Sequence, residues 1–166
     1  NLGHQVFALY PGGSSLLENS CYVHWDKTYD GIRTFEMTNS LPVPLMYGIK
    51  DVKSVISSTK LATYSFEQML GDVKPEVFHL HTLMGLPLEY LRIVHLRGIR
   101  IVYTSHDYFG LCPKVNFINQ EGDVCLGALA ERCAICYVHA KSSLFLKIRN
   151  AKWVVPLKSI VRRMKR

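Results

Sequence analysis

The sequence predicts an α/β domain with a mostly parallel sheet and flanking helices. Two observations carry this expectation. Between Glu76 and Thr104 a strand, a helix and a second strand follow one another at βαβ spacing, which makes the strands parallel and their connection right-handed. The chain's 166 residues are 48% hydrophobic and 20% charged, the composition of one globular domain rather than a disordered chain. At this length about 70% of the unfolded surface can be buried.

The elements follow in order. Gln5 to Tyr10 is an apolar run stopped by Pro11-Gly12-Gly13, so a strand near 5–9 runs into a turn. Leu2-Gly3-His4 reads as the end of a helix, which makes the start look like a fragment boundary. Cys21–Trp25 and Arg33–Met37 alternate around Asp30-Gly31, the signal of a hairpin. Asn39 to Pro44 is a loop by composition. A helix is expected between Ile56 and Gly71, with Phe66, Met69 and Leu70 inward. Lys74-Pro75 leads into a strand at 76–80. A helix over 87–97 has Pro87 in its first turn and Gly98 at its end. A buried strand covers 99–104.

From Cys112 to Cys136 the periodicity stops, and 115–125 reads as a small hairpin. The last stretch, 139–166, reads as a basic helix broken at Pro156, with Leu157, Ile160, Val161 and Met164 opposite Lys158, Arg162, Arg163 and Lys165.

Charge is concentrated in that tail. The chain holds 20 Lys and Arg against 13 Asp and Glu, and nine of the basic residues lie from Lys141 to Arg166 with no acidic one among them. A domain wrapped in nucleic acid is therefore not expected; the tail suits either an anionic surface or an apolar stripe packed on the domain's own sheet with its charges solvated. No apolar run approaches the roughly 18 residues of a membrane span.

Candidate functional residues sit at strand ends, where open parallel sheets bind ligands. His81 follows the first strand of the βαβ unit, and His106-Asp107 follow the second. His79 shares a strand face with His81, a spacing that suits cleft histidines as well as metal ligands. No G-x-G-x-x-G, no G-x-x-x-x-G-K-[ST] and no G-x-S-x-G occurs, which leaves nucleotide loops and serine-hydrolase elbows without support. Gly12-Gly13 is too short for a phosphate cradle by itself. Cys112, Cys125, Cys133 and Cys136 form C-x12-C-x7-C-x2-C. Four thiolates so gathered suit structural zinc; an iron–sulfur cluster, two disulfides and unconnected thiols are the other readings. The opening residues have neither the basic start nor the apolar stretch of a secretory signal, which disfavours disulfides. Cys21 stands apart as a buried thiol.

These residues carry a resemblance. "KPEVFHLHTLMGLPLEYLRIVHLRGIRIVYTSHDYFGLCP" resembles the amino-terminal domain of family 4-type glycosyltransferases, the retaining group with the two-domain GT-B architecture. "LGHQVFALYPGG" is similar to the end of their first helix and their second strand, and "HDYFGLCPKVNFINQEGDVCLGALAERCAIC" to a cysteine-bearing insertion of some bacterial members. The likeness runs from Leu2 to about Met164 and is specific from Lys74 to Cys136. It implies a partial Rossmann-like half of a GT-B enzyme over 1–166, with the cysteine insertion at 112–136 and the basic helix at 139–166. The first strand with its glycine-rich loop, and the carboxyl-terminal donor-binding domain, lie outside it.

By the same resemblance, His106 contacts the transferred sugar or stabilises charge as the nucleotide leaves, and Asp107 orients His106 or the acceptor. Gly12, Gly13 and His81 are the substrate-binding candidates. The donor is a nucleotide sugar, the acceptor a glycan or lipid-linked molecule, and the location cytoplasmic, peripheral at the inner membrane face. The alternative is a non-catalytic, metal-stabilised binding module whose basic helix contacts a membrane, nucleic acid or protein.

Overall fold

The computed structural model describes residues 3–15, 18, 20–44 and 48–154. Six strands are described, β1 (Phe7–Pro11), β2 (Ser20–Tyr29), β3 (Ile32–Thr38), β4 (Lys60–Leu61), β5 (Val77–Leu80) and β6 (Arg100–Tyr103). With them come five helices, α1 (Val52–Ser58), α2 (Thr63–Val73), α3 (Leu88–Leu96), α4 (Ala130–Cys136) and α5 (Ser143–Arg149). The result is a mixed α/β domain, and its strand pairings are parallel except for the β2–β3 hairpin.

That hairpin turns at Asp30 and Gly31, with φ of 49° and 76°. Two successive left-handed residues make the tight turn whose twist matches the strands, and glycine removes the steric cost at the second. The hairpin lies inside a four-stranded sheet of order β1-β3-β2-β4, while β5 and β6 pair in a sheet of their own. The expected single sheet is thus two hydrogen-bonded groups sharing one core. β1 falls at 7–11 rather than 5–9, because its register against β3 runs from Phe7↔Arg33 to Pro11↔Met37.

The helix expected between Ile56 and Gly71 is divided. α1 ends at Ser58, β4 pairs with Ser20 and Cys21 of β2, and α2 begins at Thr63. The Ala62 amide donates to the Cys21 carbonyl at 2.8 Å, so a long-range pairing interrupts the helix. Phe66, Met69 and Leu70 then sit on the buried face of α2, as expected. α2 stops at Lys74, whose left-handed conformation and bond to Leu70 close the last turn before Pro75. α3 starts after Pro87, and Gly98 takes φ of 71° beyond its end.

The core joins Cys21, Val23, Phe35 and Met37 of the hairpin to Phe66 and Leu70 of α2, Leu80 of β5, and Tyr90 and Val94 of α3. Cys21 is fully buried, as expected. Burial pushes its thiol up to about 11, against a smaller downward pull from the Tyr90 hydroxyl. A folded pKa raised this way leaves stability intact below the unfolded value near 9 and removes it as pH climbs toward about 11. Two units correspond to about 3 kcal/mol. Denaturation at pH 8 and pH 11 should show the wild type losing about that much more than Cys21→Ala. Equal losses would mean that the thiol carries none of the alkaline sensitivity.

Two expectations are corrected at the ends of the domain. β6 is exposed along its whole length rather than buried. It pairs with β5 on one side alone, and its Ile101, Val102 and Tyr103 meet solvent. The helix expected from 139 is interrupted: helix is found again at Val154, and before that, among the described residues, it runs over Ser143–Arg149. There Ser142 caps it, and Asp51 accepts from the Ser143 amide and hydroxyl, bonds that hold the Asp51 carboxyl below its usual range. It ends well before Pro156 because Ala151 bridges to Ser14, with the Ser14 amide donating to the Asn150 carbonyl. The expected basic helix over 154–166 lies outside the described residues beyond Val154. Among those described, no helix is long and apolar enough to cross a membrane.

Candidate functional site

Parallel register places the histidines. β5 and β6 pair from Val77↔Arg100 to Leu80↔Tyr103, and the Thr104 amide extends the ladder to the Leu80 carbonyl at 2.9 Å. Both chains therefore leave the sheet side by side. His81 emerges directly after β5 and His106 shortly after β6, with His81 Nδ1 and His106 Nε2 3.0 Å apart. Their rings stack at 5.3 Å and 16°. His79 lies against His81 at 4.3 Å between centroids, and its Nε2 meets the Thr104 hydroxyl at 2.8 Å. All three histidines are exposed. The His81–His106 contact requires one ring to donate an N–H and the other to accept through a bare nitrogen. Such a pair can present a donor to an incoming oxygen and pass a proton between its rings.

Asp107, expected to orient His106 or the acceptor, bonds within its own loop and, among the described residues, not to His106. Its Oδ1 accepts from the Phe109 amide at 2.9 Å, and its carbonyl accepts from the Ser105 hydroxyl at 2.8 Å. It shapes the loop, while His81 is the group that meets His106. The loop is tied onward to the cysteine segment. The Tyr108 amide donates to Val115, the Cys112 amide to Tyr108, and the Tyr108 ring meets Phe117 edge-on at 4.6 Å.

Gly12 and Gly13 follow β1 as expected, but their amides have partners within the chain. Gly12 donates to the Met37 carbonyl at 3.0 Å and Gly13 to Glu36 Oε1 at 3.0 Å. A Cβ on Gly12 would collide with the Glu36 side chain, and one on Gly13 with Lys152, so glycine is needed here for close approach. Glu36 is the residue sequence reasoning missed. It also meets Lys152 Nζ at 3.0 Å and His24 Nε2 at 3.7 Å. It stands opposite Tyr10 in the parallel β1–β3 register, a long-range pairing that no local pattern encodes.

The structure brings Cys112, Cys125, Cys133 and Cys136 to the wall of one cavity of about 230 Å³, with Phe117 and Arg132 beside them. All four are free thiols, and Cys21 lies elsewhere in the core. The expected hairpin forms, with an Ile118–Val124 bridge and the Cys125 amide donating to Phe117. The C-x2-C is helical: Cys133 and Cys136 lie three residues apart on α4, so they share a helix face. Desolvation raises the Cys136 thiol, Lys114 opposes this, and the other three cysteines add to the rise. Among the described residues no three His, Cys, Asp or Glu side chains close into a metal-holding group, so the four sulfurs share the cavity without converging on one centre.

Compared with protein-family models, with curated proteins and with solved structures, the chain matches none.

Proposed function

We propose that this chain is the acceptor-side part of a sugar-nucleotide-dependent, retaining glycosyltransferase of GT-B architecture. The observation that carries the reading is the His81–His106 contact at the carboxyl ends of two neighbouring parallel strands, the place where open α/β sheets take ligands. His106 donates to the oxygen that gains charge as the glycosidic bond to the nucleotide breaks. His81 holds the His106 ring by its hydrogen bond. A second domain binds the nucleotide sugar, and the acceptor is a glycan or lipid-linked molecule on this side of the cleft. The enzyme works in the cytoplasm, with the basic residues beyond Lys152 toward the anionic inner face of the membrane.

A non-catalytic binding module is the second reading. It is favoured by the cysteine segment, where Leu126 is 97% and Val124 76% exposed, apolar side chains that a partner could cover. The intact protein, offered a panel of nucleotide sugars with glycan and lipid-linked acceptors, separates the two. Release of free nucleotide with a glycosylated product supports the enzyme. No turnover with any donor supports the module.

A further inference from the structure

We infer that Cys112, Cys125, Cys133 and Cys136 bind one structural zinc ion that fixes the loop carrying His106. Three observations carry this. The first is the donor set: four free thiols line a single cavity, and soft sulfur donors in fours select zinc or iron–sulfur. Two come from one helix face, one from the hairpin and one from the loop before it; the sulfurs do not converge by themselves, so one ion would draw three pieces of chain together.

The second is that the segment lacks a core. α4 has no buried residue, and Leu111, Leu126, Leu129 and Ile135 are all exposed. Val115 is its buried hydrophobic residue among those described. A closed four-thiolate site supplies folding free energy where burial cannot.

The third is the surrounding charge. Zinc with four thiolates carries two negative charges, and Arg132 lines the cavity while Lys114 lies near Cys136. Lys114 Nζ is held nearby by the Asn119 carbonyl at 2.9 Å. Cys125 donates its thiol proton to the Gly127 carbonyl at 3.1 Å. That proton and those of the other three thiols leave as four Zn–S bonds form, so binding releases four protons and weakens in acid. Binding would fix Cys112 together with the other three. Because the Cys112 amide bonds to the Tyr108 carbonyl, it also steadies the turn that begins at Asp107.

The test uses the chain purified under reducing conditions. Elemental analysis should find about one zinc per chain. Four cysteines should resist a thiol reagent until a chelator is added, and Cys21 should resist until the protein is unfolded. Cobalt exchanged for zinc should give the absorption of a tetrahedral thiolate site. Cys133→Ser should lose the metal, and Cys21→Ser should keep it. If Cys133→Ser fails to fold, zinc titration of chelator-treated wild type, read by thiol protection and proton release, replaces it. Metal-free protein whose four thiols react at once and stay reactive with added zinc would overturn the site. So would iron with visible absorbance, or two disulfides. None of these readouts depends on glycosyl transfer.

Discussion

On the proposed function, replacing His106 with alanine in the intact protein is expected to lower kcat about 10²–10³-fold, the usual loss when a preorganised donor to a developing charge is removed. KM should change little if, as proposed, the interaction is made mainly as the nucleotide leaves. The melting temperature should stay essentially unchanged. His106 is exposed, and His81 is its hydrogen-bond partner, so its removal opens no cavity and strands no buried group. His81→Ala should act in the same direction but less strongly, since it leaves the donor and removes its orientation. In the double variant the two losses should not add, because residues in one hydrogen-bonded pair are coupled. Asp107→Ala should behave differently. It removes the acceptor for the Phe109 amide, loosening the loop and lowering stability by about 1 kcal/mol. Full turnover in His106→Ala would reduce the histidine pair to a loop contact and take the glycosyltransferase reading with it.

What the sequence disclosed and what it concealed follow from how far each signal reaches. The βαβ unit was legible because Pro75, Pro87 and Gly98 punctuate it, and each acts within a turn of its own position. The division between α1 and α2 was not. It is caused by β4 pairing with Ser20 and Cys21, about forty residues earlier, and no local pattern encodes that. The exposure of β6 was concealed for a different reason. An apolar run shows that a strand is able to be buried, while burial itself depends on a neighbour, and β6 pairs with β5 alone. The histidines were legible by position, since strand ends place His81 and His106 at one edge. That His106 meets His81 rather than Asp107 depends on the parallel register from Val77↔Arg100, which spacing alone does not fix. The cysteines were legible as a group, but α4 spans seven residues, too short for its periodicity to stand out, so Cys133-x2-Cys136 read as a loop.

The largest expected loss of stability comes from Phe66→Ala, at about 3–5 kcal/mol. Phe66 is fully buried and stacks on Tyr90 with ring centroids 4.2 Å apart and planes at 7°, while Phe78 of β5 meets it edge-on at 6.2 Å. One side chain thus joins α2, α3 and β5, and around it lie the hairpin residues Cys21 and Phe35. Truncation removes the transfer free energy of a benzyl group and the aromatic contacts, worth about 0.5–1.5 kcal/mol each beyond their area. It also leaves a cavity that Tyr90 cannot fill, since its hydroxyl is bonded to the Cys21 carbonyl at 3.3 Å. Against a typical total of roughly 5–15 kcal/mol for a domain, this loss is a large fraction. Urea denaturation should show the midpoint falling with the slope unchanged, as befits a loss of packing rather than of compactness. Tyr90→Phe is the calibrating variant. It keeps the ring stack and removes one hydroxyl, so about 1 kcal/mol is expected. A Phe66→Ala loss no greater than that of Tyr90→Phe would mean that the βαβ unit and the hairpin sheet do not share a core. The histidine edge would then stand on an independent element rather than on a domain braced from behind.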